Sequence, residues 1–328
     1  MLKFLILVRI LSNHPQVEII FLGTENTPNT SLKKFDNSIN SNELPLTQLN
    51  RDFDCQKADT VFLALPHGIS NEYVKLYYDQ IQIIDLSADF RLKKSSEYLK
   101  WYKQKHKATH LINKSLYSLP EINGKNLNKY QIISCPGCYP TSILLPLIPL
   151  FKNNLVKTKN ITIDSKSGYS GAGRGVHKKY KDKNLYESLS AYGVGFHRHN
   201  SEIDQMLKKF TKKQINFNFT PHLTPMFRGI LSTIYIDLET GINQSKVIKK
   251  LSNFYKKDSF VKIMKADALI STNDVINSNN CFISVCKTKY KDKIIILSVI
   301  DNLIKGGAGQ AIQNLNIKFN FPLKTALK

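Results

Sequence analysis

Apolar positions fall into two textures along the chain, and the change between them divides it. Up to about residue 138, short apolar runs alternate with stretches of helical periodicity. Residues 17–22, 60–65, 81–86 and 130–134 each read as a short strand. Strands spaced this way predict a parallel sheet in an α/β domain, whose ligand crevice lies just beyond the strand C-termini. Gly23-Thr24-Glu25, Pro66-His67-Gly68, residues 87–91 and residues 135–138 are therefore expected to line one edge. From about 155 the runs lengthen and several alternate strictly: 159–165, 214–220, 230–238, 260–264, 281–287 and 293–299, with helices near 201–212 and 243–256. That pattern predicts a mixed, largely antiparallel α+β domain. Residues 301–316 read as a Gly-rich turn entering a helix, and 23–50 as polar loop with short elements. The expected domains are 1–138 with 301–328, and 139–300.

A length of 328 residues suits two cores. The net charge of +22 is the unusual quantity. Its lysines come in short scattered groups, such as Lys208-Lys209, Lys212-Lys213, Lys249-Lys250 and Lys256-Lys257, which predicts solvated faces rather than a nucleic-acid surface. The charge also favours an anionic small molecule. Five cysteines at irregular spacing make no disulfide framework and fit a reducing cytoplasm. The opening apolar run is broken by Arg9 and followed by no small-residue cleavage site, so it reads as neither signal peptide nor membrane span.

Candidate chemistry starts at Ser134-Cys135-Pro136-Gly137-Cys138-Tyr139-Pro140-Thr141. Cys138 follows a strand, sits on a Pro-Gly turn and precedes an apolar helical run, a place that exposes a side chain and favours a thiolate. Cys135 and Cys138 also form C-x-x-C, but Cys55, Cys281 and Cys286 supply no second pair for zinc. Bases are offered by Gly195-Phe196-His197-Arg198-His199-Asn200-Ser201-Glu202. An imidazole there can pair with a thiolate, Glu202 can orient it, and Arg198 can hold an anion. His67, His177 and His222 are weaker candidates. The loop Ser167-Gly168-Tyr169-Ser170-Gly171-Ala172-Gly173-Arg174 follows a strand, and its glycines let backbone approach a phosphate or a ring closely.

Taken in order, these motifs resemble N-acetyl-gamma-glutamyl-phosphate reductases. So do Leu65-Pro66-His67-Gly68, Asp85-Leu-Ser-Ala-Asp-Phe-Arg91, Tyr117-Ser-Leu-Pro-Glu121, Pro221-His-Leu-Thr-Pro-Met-Phe-Arg228-Gly and the closing Asp301-Asn-Leu-Ile-Lys-Gly. The resemblance implies a Rossmann-like domain joined to a catalytic and dimerisation domain. It implies reduction of an acyl phosphate by NADPH through a cysteine thioester, in a homodimer or homotetramer. NAD remains open as the cofactor, because Glu25 suits a ribose hydroxyl better than a 2′-phosphate. Carried onto this chain, Cys138 is the nucleophile, with His199, His197 and Glu202 about it and His199 the expected acid/base. Arg91, Arg174 and Arg198 are expected on the substrate. Pro66, His67, Gly68, Ser87, Ser167, Gly168, Ser170, Gly171, Asn302 and Lys305 are expected at the cofactor, with no metal. Related alternatives are a reductase of carrier-bound aminoadipyl phosphate and a decayed basic binding protein of the same fold.

Two departures stand out. Cys135 replaces the asparagine usual in the family, and a second thiol there could close a disulfide that blocks activity. No glycine precedes Gly23, so the first strand and its Gly-rich pyrophosphate loop are missing and a gap is expected in the sheet. A start upstream of Met1 is the expectation, over decay, because the downstream motifs are intact.

Overall fold

Three of the predicted strands, near 60–65, 81–86 and 130–134, pair in parallel in that order, and an unforeseen strand at 115–117 extends the sheet beyond the last of them. The computed structural model describes residues 2–39, 44–172 and 187–328. A first unit gathers Met1–Leu99, Lys103–Cys135 and Ala308–Leu327. In chain order it contains α1 (Leu2–Leu11), β1 (Leu22–Thr24), β2 (Thr47–Leu49), β3 (Thr60–Leu63), α2 (Ser70–Tyr77), β4 (Gln82–Asp85), α3 (Ser95–Tyr102, shared with the second unit), β5 (Ser115–Tyr117), the single turn α4 (Pro120–Asn123) and β6 (Ile132–Ser134). β4, with neighbours on both edges, is buried at every residue; β3, with one neighbour among the described residues, is buried only at Leu63.

The expected gap is present as a break: β1 and β2 form a separate parallel pair. The strand expected over 17–22 is displaced, because residues 17–21 find no ladder partner and pairing begins only at Leu22. β2 and β5 were hidden from the pattern by their length of three residues.

The second unit, Pro136–Gly307 with Lys100–Tyr102 and Lys328, carries the mixed sheet. Its elements are α5 (Cys138–Lys152), β7 (Ile161–Gly168), β8 (Ser190–Ala191), α6 (His199–Thr211), β9 (Phe217–Thr224), β10 (Ile230–Asp237), α7 (Gln244–Phe254), β11 (Val261–Ile263), β12 (Cys281–Lys287) and β13 (Lys293–Ile300). The sheet order is β11-β12-β13-β10-β7-β9-β8, antiparallel except at β7–β9 and β11–β12. Alternation decides which face is buried. Ile161, Ile163, Ser165 and Ser167 of β7 point to the core while Thr162, Asp164 and Lys166 do not. Helix α5 lies on β10 and β13 and is buried from Cys138 to Phe151, so its sequence is apolar all round rather than striped. One polar line crosses this core: the hydroxyls of Ser142, Ser232 and Ser165 join in series at 2.7 Å. After β13 a π-helical turn (Ile304–Ala308) leads into α8 (Gly309–Lys318), which belongs to the first unit.

Among the described residues no helix is long and apolar enough to cross a membrane, and no three His, Cys, Asp or Glu side chains gather as metal ligands.

Candidate active site

Cys138 is the first residue of α5. Gly137 before it is extended (φ −69°, ψ 156°) and has no side chain to cap the helix. The first-turn N–H groups and the N-terminal partial charge therefore stand at the thiol's own end of the helix. Two glycines make the space around it. A Cβ on Gly137 would lie 2.5 Å from His199 Nε2, so the imidazole packs directly against the residue preceding the thiol. A Cβ on Gly306, in the π-helical turn, would lie 2.6 Å from Cys138 Cβ.

Glu202 ties this corner together. It lies in the first turn of α6, fully buried, where a carboxylate also complements the helix N-terminus. One oxygen accepts the Gly137 N–H at 2.9 Å, and the other is 3.8 Å from His199 Nε2. Cys138 is thus brought together with His199 and Glu202, some sixty residues further along the chain.

His197 is placed differently. Its ring sits among those of Tyr139, Tyr192, Phe219 and His199, at centroid distances of 4.7–5.7 Å. Burial, helped by the Arg198 charge, pushes its pKa down to about 4. Its Nδ1 accepts the His199 N–H at 3.2 Å, so it buttresses the start of α6 as a neutral ring. Arg198 is exposed, with its guanidinium 5.9 Å from the Tyr102 ring.

The Gly-rich loop is fastened by Asn302. That amide donates to Ser170 Oγ at 3.1 Å and accepts the Gly229 N–H at 2.7 Å. A Cβ on Gly168 would meet the backbone of Phe227 and Arg228 at 2.6–2.7 Å, which is why only glycine serves there. Ser167 Oγ donates to the Gly168 carbonyl, and Gly171 lies against the Asn302 amide. Lys305 is fully buried with its ammonium 5.4 Å from the Phe260 ring, a packed position rather than an open one. Arg174 and His177 lie outside the described residues.

In the first unit, Pro66, His67 and Gly68 follow β3, with Gly68 at φ +86° and its missing Cβ covered by the Gln104 amide. Ser87 Oγ donates to Asp85 and accepts the Asp89 N–H. Arg91, expected on the substrate, is buried, and its guanidinium donates to the Cys135 and Leu86 carbonyls, which makes it a brace for the end of β6. Cys135 is buried with Sγ 3.7 Å from the Asn314 amide. Burial first, and the Asp85 charge second, push its thiol up to about 12. Burial, then the Asp89 charge, likewise push the Asp85 carboxyl up. Sequence reasoning missed Asp89, Tyr98, His106 and Asn314 as a polar interior.

Residues 138–302 match the semialdehyde dehydrogenase dimerisation domain, and residues 5–130 match the semialdehyde dehydrogenase NAD binding domain. A probable chloroplastic N-acetyl-gamma-glutamyl-phosphate reductase of Arabidopsis thaliana is 42% identical over 98% of this chain and 80% of its own length. The N-acetyl-gamma-glutamyl-phosphate reductase of Halothermothrix orenii is also 42% identical, over 98% and 94%. In fold, the chain is similar to aspartate semialdehyde dehydrogenase II from Vibrio cholerae, with a TM-score of 0.74 at 14% identity over 97% of this chain and 94% of that one. The chain belongs to the N-acetyl-gamma-glutamyl-phosphate reductase family of semialdehyde dehydrogenases.

Proposed function

We propose that the chain reduces N-acetyl-L-glutamyl 5-phosphate to N-acetyl-L-glutamate 5-semialdehyde and phosphate, with NADPH as reductant and a thioester on Cys138. The observation that carries the mechanism is the corner where Cys138, at an uncapped helix start, shares Gly137 with His199 and Glu202. Relatives 42% identical bear this reductase name, which supports the substrate.

His199 takes the thiol proton and Cys138 sulfur attacks the acyl carbonyl, forming a C–S bond. The negative oxygen that develops suits the first-turn N–H groups of α5. Its collapse breaks the bond to phosphate and leaves the thioester. The nicotinamide cofactor, when bound, supplies the hydride that reduces the thioester carbonyl. His199 gives its proton to the resulting oxygen and removes it again as the C–S bond breaks, releasing aldehyde and restoring the sulfur. Glu202 serves by fixing the Gly137 peptide and the imidazole against each other. Arg198, an exposed cation next to His199 in the chain, is suited to an anionic group of the substrate.

The first unit fits a nicotinamide dinucleotide in two places. The backbone of 66–68 follows the C-terminal end of β3, and Glu25 follows that of β1, both parallel strands. The Glu25 carboxylate, held by Asn50 and Tyr73, suits ribose hydroxyls. We place the enzyme in the cytoplasm as a homodimer or homotetramer. The sheet face opposite α5 leaves Tyr235 exposed and Thr233 and Ile295 partly so, ready for a second copy.

The test is phosphate-dependent oxidation of N-acetylglutamate semialdehyde beside aspartate semialdehyde and a carrier-bound aminoadipate semialdehyde. The reading expects a kcat/KM for the first that is at least about 100-fold higher, the discrimination available to a site that pairs the substrate's polar groups. Preference for either of the others would replace the substrate.

A further inference from the structure

Outside the thiol corner, a dense polar construction surrounds Asp89. Its carboxylate has no exposure and receives four donors. Oδ1 accepts the Gly68 N–H at 2.8 Å and the Tyr98 hydroxyl at 2.7 Å. Oδ2 accepts the Asn71 N–H at 2.9 Å and the Asn71 side-chain amide at 2.8 Å. The Asp89 carbonyl accepts from His106 Nε2 at 3.0 Å, while His106 Nδ1 accepts the Ala108 N–H. This pattern fixes His106 as the neutral tautomer, and burial lowers its pKa. Asn71 in turn accepts the Lys107 N–H through Oδ1.

Three of the four carboxylate bonds come from Gly68 and Asn71, at the turn after β3 and the start of α2. Gly68, at φ +86°, offers its N–H to the carboxylate from a backbone conformation that a side chain would strain. Asn71 lies in the first turn of α2, so Asp89 fills the N-terminal end of that helix from within the protein. Pro66 and Ile69, on the same turn, remain exposed. A buried anion with four charge-assisted bonds is far more than a turn needs for folding alone, since a side-chain cap with a single bond is the usual device.

We propose that Asp89 is a positioning residue that holds turn 66–69 in the shape that receives the nicotinamide cofactor. The inference rests on the reading of 66–68 as cofactor-binding backbone. Asp89→Asn keeps volume but turns one oxygen into a donor facing donors, breaking about half of the bonds.

The decisive experiment combines NADPH fluorescence titration, steady-state kinetics, a thermal melt and hydrogen exchange of the 66–71 peptide with and without NADPH. In the wild type, NADPH slows exchange at 66–69. In D89N, NADPH affinity falls by about tenfold or more, as expected for loss of a charge-assisted bond, and KM for NADPH rises with it. KM for the acyl phosphate and the alkylation rate of Cys138 stay within about twofold, a split that general loosening would not give. Tyr98→Phe, which removes one donor and keeps the ring, weakens NADPH binding about threefold as a milder version. Protection at 66–69 in the wild type with unchanged NADPH affinity in folded D89N overturns the role of Asp89 alone. If D89N does not fold, unchanged affinity in Y98F overturns it equally. No protection at 66–69 in the wild type overturns the cofactor reading of the turn, and the inference with it.

Discussion

The end of β6 and the start of α5 hold two buried cysteines three residues apart in sequence, with different neighbours. Cys135 is buried beside the Asp85 carboxyl; burial first and that charge second push its thiol up to about 12, against the opposing pull of Arg91 and the Asn314 amide. Cys138 stands at a helix N-terminus beside an imidazole and a glycine that gives it room. The two thiols have one chemistry and two environments, and reactivity follows the environment. A protonated, buried thiol is also a poor partner in thiol–disulfide exchange, so the blocking disulfide raised by the C-x-x-C spacing lacks its second reactive sulfur.

The largest test of this contrast exchanges each sulfur for oxygen. Cys138→Ser is expected to lower kcat by a factor of about a thousand or more, because an unactivated hydroxyl is a far weaker nucleophile than a thiolate. Cys135→Ser should keep activity within about threefold, the size expected for a buried substitution away from the reacting atoms. Iodoacetamide labelling read by peptide mass spectrometry should mark Cys138 and spare Cys135 at neutral pH. Labelling of Cys135 in the folded protein would erase the distinction.

A methyl group tests the packing. Gly137→Ala drives its Cβ into the His199 imidazole, and Gly306→Ala drives its Cβ into Cys138. Each should cost about a hundredfold in kcat with a melting temperature near that of the wild type, since displacements of about 1 Å in a reacting pair have that effect. A kcat equal to that of the wild type in both variants would mean that neither contact sets the catalytic geometry.

These two glycines also mark what sequence could and could not reveal. Gly137 was legible as part of a turn before a nucleophile, and the strands β4, β10, β12 and β13 were legible from apolar runs within a residue or so. Gly306 was legible only as a turn, because its contact with Cys138 links residues 168 positions apart and leaves no periodic trace. Arg91 looked like a substrate cation for the same reason: sequence shows a charge but not the carbonyls that consume it. The three-residue strands β1, β2 and β5 lie below the length at which alternation can be read.

Of the two histidines near the thiol, His197 carries a pH dependence that can be measured. His197 is neutral in the fold with a pKa lowered from 6.5 to about 4, by burial first and Arg198 second. Its folded pKa lies below the unfolded one, so the unfolded chain binds more protons between those values. Its contribution is full above pH 6.5 and is lost as pH falls toward 4, by about 3 kcal/mol at most. His197→Phe, which keeps an aromatic ring among Tyr139, Tyr192 and Phe219, should flatten that slope in urea unfolding measured from pH 7 to 4. An unchanged slope would place the acid sensitivity elsewhere.

The smallest expected effect lies at the far end of the nucleophile's own helix. Lys152 closes α5 with its ammonium 5.3 Å from the Phe210 ring and 5.6 Å from the Phe254 ring. Those rings lie near the C-terminal ends of α6 and α7, which also carry Lys208, Lys209, Lys256 and Lys257 within the last turn or just beyond. Helix ends of this polarity attract cations, so part of the +22 charge has a local cause within the fold. Lys152→Ala should cost about 1 kcal/mol of stability from the lost cation–π contacts and dipole complement. A helix end acts on charges within about one turn. The pH dependence of Cys138 alkylation should therefore be the same in K152A as in the wild type. A shifted profile would show that the thiol responds to the charge of the whole helix, and would blur the local contrast with Cys135 on which its reactivity is argued.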